Sequence, residues 1–259
     1  MSMRIFVVKK RTIIRTAVFV ALIVGAIVFT QVALSGTAPV VSMSEAMPIC
    51  SVATDEMAVA LTIDTAFGDE DYTDEILSVL KGGGARATFF VMGLWANEHP
   101  DALDGILRGG QEIASHSMNH TRYPDMQPSE MLYDASDAAD LIFDKTGYDT
   151  RLLRLPYGAF SDESIRALEG EGFVPMKWSL DSKDWKGYDA EKIADAVVGQ
   201  AQPGDIIMFQ NNMEQTPQAL SSVILGLREA GYKIVPVGDL LLDGDYIIDS
   251  SGTQRYFED

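Results

Sequence analysis

Two histidines and one aspartate carry the first chemical signal in this chain. His116 and His120 stand four positions apart, directly after the apolar run Glu112-Ile113-Ala114. On a helical turn, positions i and i+4 share a face, so the two imidazoles can bind one divalent metal. A pair of this kind leaves room for a third protein ligand and a water, the layout of a hydrolytic metal site. Asp64 closes another apolar run, Met57 to Ile63, and is placed as a carboxylate at a strand end. A nearby carboxylate is what a metal-bound water needs to lose its proton.

The elements that would hold these residues follow from periodicity. From Met57 onward, apolar runs of strand length alternate with amphipathic stretches. Strands are expected at 58–63, 87–92, 112–115, 151–155, 173–178, 205–209 and 233–237. Helices are expected at 73–80, 100–107, 128–145, 162–170, 190–200 and 217–230, with a short one near 239–242. Several are punctuated by glycines, as at Gly82–Gly84 and Gly109–Gly110, or opened by capping residues such as Ser129. About seven strands, apolar throughout, argue for parallel strands covered on both sides: a (β/α) barrel or an open doubly wound sheet. No glycine-rich phosphate loop follows any strand, which disfavours a nucleotide site.

On that scaffold the unusual polar residues fall at the carboxyl ends of strands. Asp64 follows the first strand, His116 and His120 the third, and Arg154-Leu155-Pro156-Tyr157-Gly158 closes the fourth. Asp181 through Trp185 follows the fifth, and Gln210-Asn211-Asn212 the sixth. In (β/α) barrels that rim carries the active site. Arg154 is suited to hold Asp64 ionised through a bidentate contact. The residue before Pro156 is kept extended, so Tyr157 follows in a set turn and its N–H can meet an oxyanion. Tyr157 and Trp185 offer flat faces to a sugar ring. Read singly, Arg154 is equally a salt-bridged rim residue and Trp185 a core residue; together the five segments agree on a site.

Charge and cysteine bound the remaining possibilities. Residues 1–35 hold five basic and no acidic residues, so the rest of the chain carries 15 basic against 38 acidic, a net of −23. That argues against nucleic acid and anionic headgroups as partners of the body and suits a neutral or cationic one. The single cysteine, Cys50, excludes an internal disulfide. Residues 16–34 are nearly unbroken apolar sequence behind a basic segment, 1–15, long enough to cross a bilayer. The basic flank would stay in the cytoplasm and the body outside it. A cleaved signal at Ala33-Leu34-Ser35 is the rival, and the length favours an uncleaved anchor. Residues 35–56 read as a linker, 57–242 as the domain and 243–259 as a polar tail.

The residues from Met57 to Leu242 resemble the polysaccharide deacetylases with a NodB-like domain, carbohydrate esterase family 4. The resemblance implies a distorted, TIM-like (β/α) barrel and a divalent metal, usually zinc. It also implies removal of acetyl groups from N-acetylated sugars in peptidoglycan or chitin-like polymers. Leu61-Thr62-Ile63-Asp64 is similar to the first family motif, making Asp64 the base. His116 to His120 match the metal-binding second motif, and Arg154 to Gly158 the third, in which Arg orients the base and Tyr stabilises the oxyanion. Asp181 to Trp185 match the fourth, giving Asp184 the support of the acid. Pro156, Tyr157, Trp185 and Gln210 become candidate sugar contacts.

Two positions depart from the family. Thr65 stands where a second aspartate ligates metal, and Gln210 where a histidine serves as general acid. An amide has no acidic proton for a leaving amine at neutral pH. Three readings follow: a deacetylase whose third ligand is water or one of Asp69, Glu70 and Asp71; a wall-glycan binder without turnover; or an esterase acting on O-acetyl groups.

Overall fold

The computed structural model describes residues 45–65, 67–68 and 70–257. The basic segment, the expected membrane helix at 16–34 and most of the linker lie outside them. Among the described residues no helix is long and apolar enough to cross a membrane.

In chain order the elements are β1 (Ser51–Val52), β2 (Ala58–Asp64), α1 (Thr73–Gly83), β3 (Thr88–Val91), α2 (Gly93–Glu98), α3 (Pro100–Arg108) and β4 (Glu112–Ser115). Next come α4 (Pro128–Thr146), β5 (Leu152–Arg154), α5 (Asp162–Gly170), β6 (Val174–Met176), β7 (Leu180–Asp181), α6 (Ala190–Gln200) and β8 (Ile206–Gln210). The chain ends with α7 (Thr216–Glu229), β9 (Lys233–Val235), α8 (Val237–Leu240), β10 (Ile247–Ile248) and β11 (Thr253–Arg255). The expected alternation is present; the sequence reading misses α2 and β7, and β7 is only two residues long.

Seven parallel strands form one curled sheet in the order β6-β5-β4-β3-β2-β8-β7, with β9 also pairing β2. Its two edges, β6 and β7, are consecutive in the chain and joined only by Lys177, Trp178 and Ser179. Four residue steps span at most about 14 Å, so the sheet is rolled nearly onto itself. The gap is stitched from the N-terminal side. Ile49 bridges Met176 of β6, and Ser51 bridges Asp205 beside β8.

Alternation along β2 explains where the site sits. Val59, Leu61 and Ile63 pack outward with helix residues such as Ile76, Leu80, Val223 and Leu227. Ala58 and Ala60 face the barrel interior with Phe90, Ala114 and Ile206. Strand side chains alternate faces, so Thr62 and Asp64 also point inward, above those small alanines. The interior is therefore roomy at one end and polar there.

Two segments differ from their expected roles. Within the stretch read as linker, Ile49, Cys50 and Val52 are buried. Within the stretch read as tail, β10 and β11 form an antiparallel pair, and β11 takes β1 as a parallel partner. These strands are two or three residues long, too short to leave a period in sequence.

Candidate active site

Asp64 ends β2 almost fully buried, and Arg154 ends β5 with no exposure at all. Arg154 Nη1 donates to Asp64 Oδ1 at 2.8 Å and to Thr62 Oγ1 at 2.7 Å, while Nη2 donates to the Lys177 carbonyl at 3.0 Å. The expected bidentate clasp is thus replaced by a single contact, because the second nitrogen is engaged by Lys177. The guanidinium lies 3.9 Å over the Phe90 ring, which pays no desolvation relief but supplies cation–π attraction. Burial pushes the Asp64 carboxyl above its ordinary range, and the Arg154 charge and hydrogen bond pull the other way. Asp64 Oδ2 is left facing His116 Nε2 at 3.8 Å.

His116 and His120 do not ride a helix. They sit in the loop after β4, where Ser117 and His120 adopt left-handed φ of 67° and 54°. The loop is held by Asp134 of α4, whose carboxylate accepts from the N–H groups of Met118 and Asn119, the Asn119 amide and the Tyr123 hydroxyl. Ser117 Oγ accepts the His120 N–H at 2.8 Å. The i, i+4 spacing still brings the rings together, with centroids 4.6 Å apart, edge to face. His116 Nδ1 lies 3.0 Å from the Arg154 carbonyl, which only a protonated Nδ1 can satisfy, so Nε2 presents its lone pair. Burial pushes both imidazoles down to about 4, with the neighbouring His116 adding to the effect at His120. Both are neutral at pH 7 and suited to ligation.

The donors fit a divalent metal only in part. Two neutral imidazoles supply nitrogen donors, yet among the described residues no group of three or more His, Cys, Asp or Glu is gathered to hold an ion. Thr65, at the expected third-ligand position, gives its hydroxyl oxygen to the Met92 N–H at 3.0 Å. Asp71 is taken up by Trp95 Nε1 at 2.8 Å and the Thr73 N–H at 2.8 Å. Glu70 does not line the cavity, and Asp69 lies outside the described residues. The arrangement suits an ion completed by water, held less firmly than by three side chains.

Around these groups a cavity of about 610 Å³ opens at the carboxyl ends of the strands. Asp64, His116, His120, Tyr157, Trp185 and Gln210 all line it, so the structure gathers most of the expected residues in one place. Tyr157 has φ 59° and its ring centroid lies 4.4 Å from that of His120. Pro156 is buried and does not line the cavity. Asp184 does not line it either. Its carboxylate accepts from the Gln210 N–H at 2.8 Å, the Thr216 hydroxyl at 2.7 Å and the Trp185 N–H at 2.9 Å. It fixes the end of β8 and the start of α7, and so acts on the site through the backbone of Gln210. Burial pushes the Asp184 carboxyl up, opposed by those hydrogen bonds.

Sequence reasoning missed Asp134 and the apolar lining of Phe67, Met92, Trp178 and Met208. One signal for Asp134 exists: it interrupts the buried stripe Met131, Ala135, Ala138, Ile142 of α4. A carboxylate on an apolar face needs partners, and here it has four.

Comparison with known proteins points to one family. A family profile for polysaccharide deacetylase matches residues 51–175. A peptidoglycan-N-acetylglucosamine deacetylase of Bacillus cereus is 31% identical over 195 residues, covering 73% of this chain and 91% of that protein. The peptidoglycan-N-acetylmuramic acid deacetylase PdaC of Bacillus subtilis is 31% identical across 71% of this chain, which is 39% of its own length. Among solved structures, a CE4 family pseudoenzyme from Bacillus anthracis superposes with a TM-score of 0.71 at 28% identity, covering 75% of this chain and 69% of that one. The chain belongs to the polysaccharide deacetylase family.

Proposed function

We propose that the cavity takes an N-acetylated sugar of a cell-wall polysaccharide and that the chain removes its acetyl group, with Asp64 as base. The observation that carries this reading is the buried Arg154–Asp64 pair, with Oδ2 turned to His116 Nε2 at 3.8 Å. The buried guanidinium holds Asp64 in one orientation and favours its ionised form, ready to accept a proton from the attacking water. The Tyr157 N–H, in its left-handed turn after Pro156, is the proposed donor to the oxyanion. Trp185 and the Tyr157 ring flank the sugar. A divalent ion, zinc being suited to imidazole, would be held by His116 and His120, and when bound would polarise the acetamide and acidify water. Gln210 supplies no proton to the leaving amine, so turnover is expected to be about 10²–10⁴-fold below that of a site with a working acid. The body would act outside the cytoplasm, tethered by residues 16–34.

The test is acetate release from N-acetylated peptidoglycan and from chitin oligomers by the full chain, with Asp64→Asn as control. Release that needs Asp64 supports the hydrolase. A second reading, a glycan binder without turnover, is favoured by the engagement of Thr65 with Met92 and by the amide at 210. Binding of either glycan with no release in hours would establish it instead.

A further inference from the structure

The cavity carries an unbalanced charge. Two carboxylates line it, Asp64 and Asp181, and among the described residues no lysine or arginine side chain does. Asp64 is matched by the buried Arg154 guanidinium. Asp181 is not: half-buried at the cavity wall, it enters no ion pair among the described residues. Lys186 and Lys177 stand by the Trp185 and Trp178 rings, 5.0 Å and 5.9 Å from their centroids, yet neither lines the cavity.

The place of Asp181 follows from the sheet. Leu180, Ile207 and Phe209 pack outward with the helices, so Asp181, Met208 and Gln210 share the inner face. β7 pairs β8 with Asp181 beside Met208, and β8 pairs β2 with Gln210 beside Asp64. The two carboxylates therefore flank the strand of Gln210 from either side. Asp181 Oδ1 accepts the Lys183 N–H at 2.8 Å, which fixes the carboxylate in its turn, and Oδ2 accepts from Trp185 Nε1 at 3.4 Å. The rings of Tyr157, Trp178 and Trp185 line the same cavity.

We propose that Asp181 makes the cavity a holding site for the free amino group of a deacetylated sugar, so that the chain binds an amino sugar more tightly than its N-acetylated form. The inference rests on the glycan reading above and deepens it. Loss of the acetyl group turns a neutral amide into an amine that carries a positive charge below about pH 8. In this cavity an ammonium meets a carboxylate with no cation of its own and the faces of indole and phenol rings. The Gln210 side chain between the two carboxylates is neutral, and its carbonyl oxygen can accept from the same ammonium. The acidic body adds attraction at longer range, since residues 36–259 carry a net charge of −23.

The experiment measures affinity of the full chain at pH 6.5, by tryptophan fluorescence, for an N-acetylglucosamine oligomer and for one of equal length with a single internal acetamide replaced by a free amine. Chelator is present, so that turnover does not convert one ligand into the other. The amino form is expected to bind about fivefold tighter, the worth of one half-exposed ion pair. Asp181→Asn should bring the two affinities to parity; its side-chain carbonyl can still accept the Lys183 N–H, so the turn is kept. Asp181→Glu, which returns the charge, should restore the preference. Asp245→Asn, at an exposed position outside the cavity lining, should leave the preference as it is. Equal affinity for both forms in the unaltered chain, a preference that survives Asp181→Asn, or one that falls as far in Asp245→Asn, overturns the proposal and leaves the glycan reading standing. Binding of neither form overturns both.

Discussion

Arg154 meets Asp64 through one hydrogen bond of 2.8 Å rather than two, and its other nitrogen holds the strand-connecting carbonyl of Lys177. The residue that orients the base therefore also pins the seam between the two sheet edges. Arg154→Met should cost roughly 3–5 kcal/mol of stability at pH 7, because it strands a buried carboxylate. The sign of its pH dependence follows. Without the guanidinium the folded-state pKa of Asp64 rises further above its unfolded value, and a raised acid loses stability as pH climbs past that unfolded value. Urea titrations should show a larger deficit at pH 7 than at pH 4.5; an equal deficit at both would mean that Asp64 is not the group stranded.

Gln210 and Asp64 are register partners across the parallel ladder of β8 and β2. A proton donor at 210 would stand beside the base on the same cavity wall. Gln210→His is expected to raise acetate release by about 10²–10⁴-fold, the usual worth of general acid catalysis. The backbone at 210 is held by Asp184 in either case, so the unfolding midpoint should move little. No gain in release from the histidine variant, with the fold intact, would assign the block to the metal side of the site instead.

The buried imidazole of His116 and the half-buried one of His120 set a second pH window. In the unfolded chain they protonate near 6.5, and in the folded state only at about 4. Between those values the unfolded state takes up protons that the folded state refuses. Stability contributed by the pair is complete above pH 6.5 and declines as pH falls toward 4, by up to about 1.4 kcal/mol per pH unit for each histidine. His116→Gln with His120→Gln should flatten that limb. The titration is run with chelator present, so that metal release does not add to the slope; an unchanged slope in the double variant would show the imidazoles to be exposed in solution.

Much of this was legible because the informative residues sit where strands stop. The apolar runs ending in Asp64, His116, Arg154 and Gln210 place four side chains on one rim without any knowledge of contacts, and all four line or underlie the cavity. Helices Asp162–Gly170 and Ala190–Gln200 are found at their observed bounds, since Ser161 and Asp189 cap their starts and a 3.6-residue period runs through them. The loop geometry of His116 and His120 was not legible. Spacing of four is shared by a helix and by a tight loop with two left-handed residues, and only Asp134, distant in sequence, decides between them. The role of Asp184 was obscured for the opposite reason. Its motif marks it as important, yet whether a carboxylate faces a cavity or caps a helix depends on the 26-residue separation that folding closes to Gln210.

The domain boundary supplies the last prediction. A linker reading of 35–56 suggests that the body can be cut at Met57. The structure puts Ile49 fully inside the core, bridged to Met176, and pairs Ser51 and Val52 with Thr253 and Gln254. The Ile49 carbonyl also accepts the Lys177 N–H at 2.8 Å, so the same residue braces the segment that Arg154 holds from the other side. Ile49→Ala should cost roughly 2–5 kcal/mol, the range for emptying a buried aliphatic site. Removal of residues 45–56 should cost more and expose the unpaired edge of β11, giving a protein that aggregates on concentration. Denaturant unfolding of the point variant and light scattering of a protein beginning at Met57 measure the two effects. A chain starting at Met57 that matches the full chain in midpoint and stays monomeric would return residues 45–56 to the role of a tether.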